Sequence, residues 1–99
     1  MPVELMLSDE HKRLVRAIVQ GVVPGAVFRV FGSRATGQAR PFSDLDLLIL
    51  QPWRLTWAQR AALRDAFEAS ELPYCVDVVE AGALPAGMAE RIQQEMLAI

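Results

Sequence analysis

The sequence predicts an α/β (α+β) fold of order αβ(α)βαβα, three strands forming one small sheet covered by helices. Three observations predict it. Short runs rich in β-branched and aromatic residues stand at 26–31, 44–50 and 74–80. Segments of helical periodicity alternate with them, and Gly or Pro punctuates the joins. At 99 residues and 53% hydrophobic composition, with no repeat or long linker, the chain reads as a single domain, 1–99.

Each element has a local cause. Ser8 is placed to cap a helix over about 9–20, with Asp9 and Glu10 at its positive end. Leu14, Val15, Ile18 and Val19 supply its apolar stripe, and Gly21 and Pro24 end it. The strand at 26–31 is interrupted only by Arg29 and runs straight into Gly32-Ser33. Residues 34–43, with Gly37, Pro41 and Ser43, read as a short helix or loop. The strand at 44–50 is apolar apart from Asp44 and Asp46. Thr56 and Gln59 form a capping-box pattern opening a helix at about 57–69, with Leu63 and Phe67 inward. Pro73 bars its continuation, and 74–80 is a strand with Asp77 inside it. Pro85 suits the start of a last helix whose Met88, Ile92, Met96 and Ile99 recur at helical spacing to the end.

The inventory excludes whole chemistries. Lys12 is the only lysine, so neither a P-loop lysine nor a strand-borne kinase lysine is present. His11 is the only histidine, which leaves no His-rich zinc site. A net charge of −2 offers no broad basic face to a nucleic-acid backbone. No apolar run approaches a membrane span, and no secretory signal is evident. Cys75 is alone and has no internal disulfide partner, so a reducing cytoplasm is expected. His11 reads as an exposed helix residue and Cys75 as a small buried hydrophobe. Trp53 and Trp57 are expected to pack at the core or its rim rather than stack on a nucleobase.

What remains is carboxylates. Strand side chains alternate, so Asp44 and Asp46 share a face while Leu45, Leu47 and Ile49 take the other. Two anions opening an apolar strand repel each other, and a divalent cation reverses that cost. Asp77 lies mid-strand among Cys75, Val76, Val78 and Val79, where an unpaired carboxylate is expensive. If its strand lies beside the second, the three aspartates can converge on one face, an arrangement able to hold two Mg²⁺ ions about 4 Å apart. Gly32 permits close approach of backbone to phosphate, Ser33 offers a hydroxyl, and Arg34 a permanent cation.

Gly32-Ser33, ten intervening residues and Asp44-Leu45-Asp46 make a pattern that about one chain of this length in a thousand carries by chance. The stretch Phe31-Gly32-Ser33-Arg34-Ala35-Thr36-Gly37, then Ser43-Asp44-Leu45-Asp46-Leu47-Leu48-Ile49, resembles the minimal nucleotidyltransferases of the DNA polymerase β superfamily. The resemblance covers essentially the whole chain and implies a nucleotidyltransferase-like fold with a small mixed three-stranded sheet. It implies that Gly32, Ser33 and Arg34 bind the nucleotide. Asp44 and Asp46 would hold metal, and Asp77 would hold metal or help deprotonate the acceptor. The departures are Thr36, where many relatives carry a second Arg, and Phe42, where they carry a polar residue.

The resemblance further implies transfer of AMP from ATP to an acceptor hydroxyl, with Mg²⁺ as cofactor. No dedicated acceptor domain is legible, so a partner protein is expected to supply the acceptor. Small relatives resemble antitoxins encoded beside a HEPN ribonuclease toxin, silenced by AMPylation of a tyrosine. Two alternatives stand beside this reading: a small-molecule (aminoglycoside-type) nucleotidyltransferase, and an idle antitoxin that acts by binding alone.

Overall fold

Ser8 caps the first helix as its sequence predicts, its hydroxyl accepting the His11 N–H at 3.1 Å. The structure, a computed structural model, describes residues 7–37 and 43–99. Helix α1 (Asp9–Val22) is followed by strand β1 (Val27–Phe31) and a single helical turn, α2 (Ser33–Thr36). Strand β2 (Leu45–Gln51), helix α3 (Trp57–Glu68), strand β3 (Val76–Glu80) and helix α4 (Ala86–Glu95) complete the order. α1 runs through Gly21, because Val23 still donates to the Val19 carbonyl and is itself buried. Thr56 and Gln59 form the expected capping box at α3.

The sheet is three-stranded and mixed, in the order β1-β2-β3. β1 is antiparallel to β2, and β2 is parallel to β3. Parallel neighbours need a crossover, and α3 supplies it. Phe28, Val30, Leu45, Leu47 and Ile49 are buried on one face with Val15 and Val19 of α1 and Leu63 and Phe67 of α3. Period-two alternation therefore sends Asp46 and Asp77 to the opposite face. That separation of core and carboxylates is what the fold does for the site.

Glu80 ties three elements together. Its side chain is only 7% exposed, pairs with Arg60 of α3, and accepts the Leu55 N–H at 2.9 Å. The turn before α3 is thereby fixed to the end of β3.

The last helix differs from expectation. It ends at Glu95 rather than running to Ile99, Met96 is extended, and of the predicted stripe only Ile92 is buried. Met88 is half-exposed. The cause is the outer edge of β1, whose backbone groups need partners. Val30 and Leu97 exchange N–H to carbonyl bonds of 2.9 and 2.8 Å. Other side chains also depart from expectation. Cys75 is exposed rather than buried. His11 is half-buried against Tyr74, its Nδ1 3.1 Å from the phenol oxygen. Trp53 and Trp57 are 67% and 81% exposed; Trp53 lies over Gly82, whose N–H donates to the Trp53 carbonyl. Among the described residues, no helix is long and apolar enough to cross a membrane.

Candidate active site

β1 delivers the glycine turn and β2 the aspartates, and their register makes them meet. Phe31 lies opposite Asp46, so Gly32, the next residue, leaves the sheet beside the Asp46 carboxylate. Gly32 has φ +77 and ψ −155, a backbone region essentially restricted to glycine. A Cβ built there would collide with Asp46 Oδ2 and stand 3.1 Å from Cγ. Gly32 is needed twice: for its conformation and for the space its missing side chain leaves to a carboxylate.

From that turn α2 starts. The Ala35 and Thr36 N–H groups donate to the Gly32 carbonyl, and the Ser33 N–H, at the helix start, has no intrahelical acceptor. The Ser33 hydroxyl bonds no described residue and is half-exposed, which makes it a donor on hand at the mouth of the turn.

Asp46 and Asp77 are direct partners in the parallel ladder and share a face. Asp44, two residues before Asp46, shares that face by alternation and is exposed. Burial pushes the Asp46 carboxyl above the usual aspartate value, and the charges of Asp77, Asp44 and Glu95 push it further the same way. Asp77 itself is exposed on the outer strand, so the burial cost inferred from its apolar neighbours in sequence is not paid there. Among the described residues, no three His, Cys, Asp or Glu side chains are drawn into a group that could hold a metal ion by themselves. The donor chemistry nonetheless fits Mg²⁺, which takes one or two carboxylates, keeps waters, and completes its shell with substrate phosphates.

Arg34 turns into the protein beside the motif's second half. It is 7% exposed, with Nε and Nη2 donating to the Ser43 carbonyl at 3.1 and 2.8 Å. Its guanidinium lies 3.9 Å over the Tyr74 ring. Burial raises the Tyr74 pKa, and the nearby Arg34 charge opposes that rise. Arg34 thus grips the residue immediately before Asp44 and joins the two halves of the motif from inside.

Sequence reasoning missed Glu95. Leu97 pairs with Val30 at the edge of β1, and two residues earlier the end of α4 brings Glu95 near enough for its charge to act on Asp46. Glu95 closes α4 at the helix's negative end, in a last turn without a basic residue, and its charge reaches Asp46. An acid in the final turn of a helix was the available signal. It was hidden because the helix was expected to continue.

The register thus brings the Gly32-Ser33 turn beside Asp46, which lies level with Asp77. The nucleotidyltransferase domain family matches residues 9–99. This chain belongs to the nucleotidyltransferase domain family. It is 38% identical over 77 residues to the probable protein adenylyltransferase MntA of Haemophilus influenzae, spanning 78% of this chain and 68% of that protein. A solved structure assigned as a minimal nucleotidyltransferase matches with a TM-score of 0.66 and 35% identity, covering 89% of this chain and 95% of that one. The protein is a nucleotidyltransferase of the minimal type.

Proposed function

We propose that this nucleotidyltransferase is a protein adenylyltransferase, moving AMP from ATP to a hydroxyl of a partner protein. The observation that carries the reading is the meeting of the Gly32-Ser33 turn with Asp46, itself in register with Asp77. The adenylyltransferase named above supports the choice of a protein acceptor. The partner is a HEPN-type helical ribonuclease modified on a tyrosine, and this chain is its cytoplasmic antitoxin.

In this mechanism the Gly32 turn admits the triphosphate, and the Ser33 N–H and hydroxyl donate to its oxygens. Arg34 positions Asp44 through Ser43. Asp44, Asp46 and Asp77 would hold Mg²⁺, which when bound neutralises the phosphates and the carboxylates that face them. The acceptor oxygen attacks the α-phosphorus and forms a new P–O bond. The bond from that phosphorus to the bridging oxygen breaks, and pyrophosphate leaves with its electron pair. The hydroxyl proton passes to the exposed Asp77 carboxylate.

The test is intact-mass and peptide mapping of a HEPN-type partner after incubation with this protein, ATP and Mg²⁺. An added AMP on a partner tyrosine is expected. Label on an aminoglycoside with the partner unmodified, or toxin silencing without any transfer, would overturn the reading.

A further inference from the structure

β3 is the outer strand of the sheet, and its free side is open in a specific way. The Leu45 N–H donates to the Cys75 carbonyl at 2.9 Å, and Leu45 lies opposite Val76. In a parallel ladder that pattern turns the backbone groups of Cys75, Asp77 and Val79 toward β2. Val76 and Val78 therefore direct their N–H and carbonyl groups outward, and no described segment bonds to them. Exposed edges are ordinarily guarded by Lys, Pro or a bulge. None stands at 76–78.

A groove runs along this edge. Trp57, Arg60, Ala61 and Arg64 of α3 form one wall, and the consecutive residues Val76, Asp77 and Val78 form the other. Trp57 is a large apolar side chain left 81% exposed. Arg64 is also exposed, its ion pair among the described residues being with the similarly exposed Asp65 at 3.8 Å. The Asp77 side chain sits between the two outward rungs and belongs to the catalytic face.

We propose that the groove is the acceptor-docking surface, and that its occupant is an extended segment of the modified protein, added to β3 as a fourth strand. This rests on the adenylyltransferase reading and specifies how the acceptor arrives. An added strand lies about 4.8 Å from β3, so its residue level with Asp77 presents its side chain beside that carboxylate. That residue carries the hydroxyl. Its neighbours on either side point under α3, where Val76, Val78 and Trp57 favour apolar side chains and Arg64 favours an acidic one. On the catalytic face, Asp46 and Asp77 exclude an acid. A second copy of this chain is a poor occupant, because pairing two β3 strands about this rung sets Asp77 against Asp77.

The probe is a seven-residue peptide with a central tyrosine, flanking valines and one glutamate, given with ATP and Mg²⁺. Hydrogen exchange is expected to slow at the Val76 and Val78 amides, and AMP to appear on the tyrosine. Val78→Pro removes one outward N–H while leaving the β2 ladder its bonds, and Trp57→Ala removes an exposed wall. Each is expected to lower kcat/KM for the peptide at least about tenfold. The thermal shift induced by Mg²⁺ and ATP should be unchanged. Trp57→Ala keeps the test decisive if the proline variant fails to fold. Transfer that neither variant alters, or protection elsewhere, overturns the groove and leaves the adenylyltransferase reading standing. Edge protection that appears without peptide and grows with protein concentration assigns the edge to a second copy and overturns the proposal. Bound Mg²⁺ and ATP with no transfer to any protein or peptide hydroxyl overturns both.

Discussion

Gly32 has no side chain because the Asp46 carboxylate occupies the place where its Cβ would stand. The residue that opens the turn after β1 and the carboxylate at the start of β2 therefore constrain each other. Gly32→Ala must carry an essentially glycine-only backbone conformation, costing about 1–3 kcal/mol, and must also push Asp46 aside. Gly25 has φ +80 and open space around its Cβ position, so Gly25→Ala carries the backbone cost alone. Both variants are expected to melt earlier, and only Gly32→Ala to lose nucleotide transfer. Equal transfer by the two would separate the turn from the chemistry.

Asp46 gives the metal-free protein a pH dependence of definite sign. Its folded-state pKa lies above 3.8, so the folded chain binds the proton more tightly than the unfolded chain. The stability this contributes is complete below the unfolded value and is lost as pH rises through the raised one. Asp46→Asn never ionises and escapes that loss. In chelator, the melting temperature of Asp46→Asn relative to wild type is expected to climb as pH rises above the ordinary aspartate range, then level off once the wild-type carboxyl is ionised. Mg²⁺ with ATP should stabilise wild type more than the variant, because binding favours only the folded state. A variant that falls behind wild type as pH rises would show that Asp46 is a structural anion.

How much of this could be read from sequence depends on the range of the cause. Ser8, Thr56 with Gln59, and the alternation of Asp44-Leu45-Asp46 act within a few residues, and the elements they predict are present. The Gly32-Ser33 turn and Asp46 meet because they stand at the facing ends of two antiparallel strands. That Asp77 lies level with Asp46 was legible once their strands were set side by side, but not its exposure, which follows from its strand being outermost. Arg34 could not be read locally. Its direction depends on Tyr74, forty residues on, and on Ser43. The end of α4 was likewise decided elsewhere, by the unpaired edge of β1 that captures Leu97.

Glu80 is the least replaceable carboxylate for folding. Its oxygens satisfy the buried Leu55 N–H and pair with Arg60 across the α3–β3 junction. Glu80→Ala leaves the Leu55 N–H without an acceptor, a loss of about 1–3 kcal/mol. Glu80→Gln keeps one acceptor and should lose less. Urea melts of the two are expected to rank wild type, Gln, Ala in falling stability. An alanine variant as stable as wild type would mean that water replaces the carboxylate at no cost.

Glu95 is the carboxylate whose position makes least sense without a ligand. It stands at the negative end of α4, no basic residue shares its turn, and its charge opposes ionisation of Asp46. A residue kept only for folding would do better as Gln or Lys at that place. In chelator, Glu95→Gln is therefore expected to match or exceed wild type in stability. With metal the balance reverses, because the charge that repelled Asp46 now adds to the field that attracts a divalent cation. Loss of one partly exposed charge should weaken Mg²⁺ binding by about 0.5–1 kcal/mol, roughly two- to fivefold. Titrating Mg²⁺ at fixed ATP and following the melting temperature measures that change directly. A variant less stable in chelator but unchanged in its Mg²⁺ midpoint would make Glu95 a structural residue at a helix end, and the acidic cluster would close at Asp44, Asp46 and Asp77.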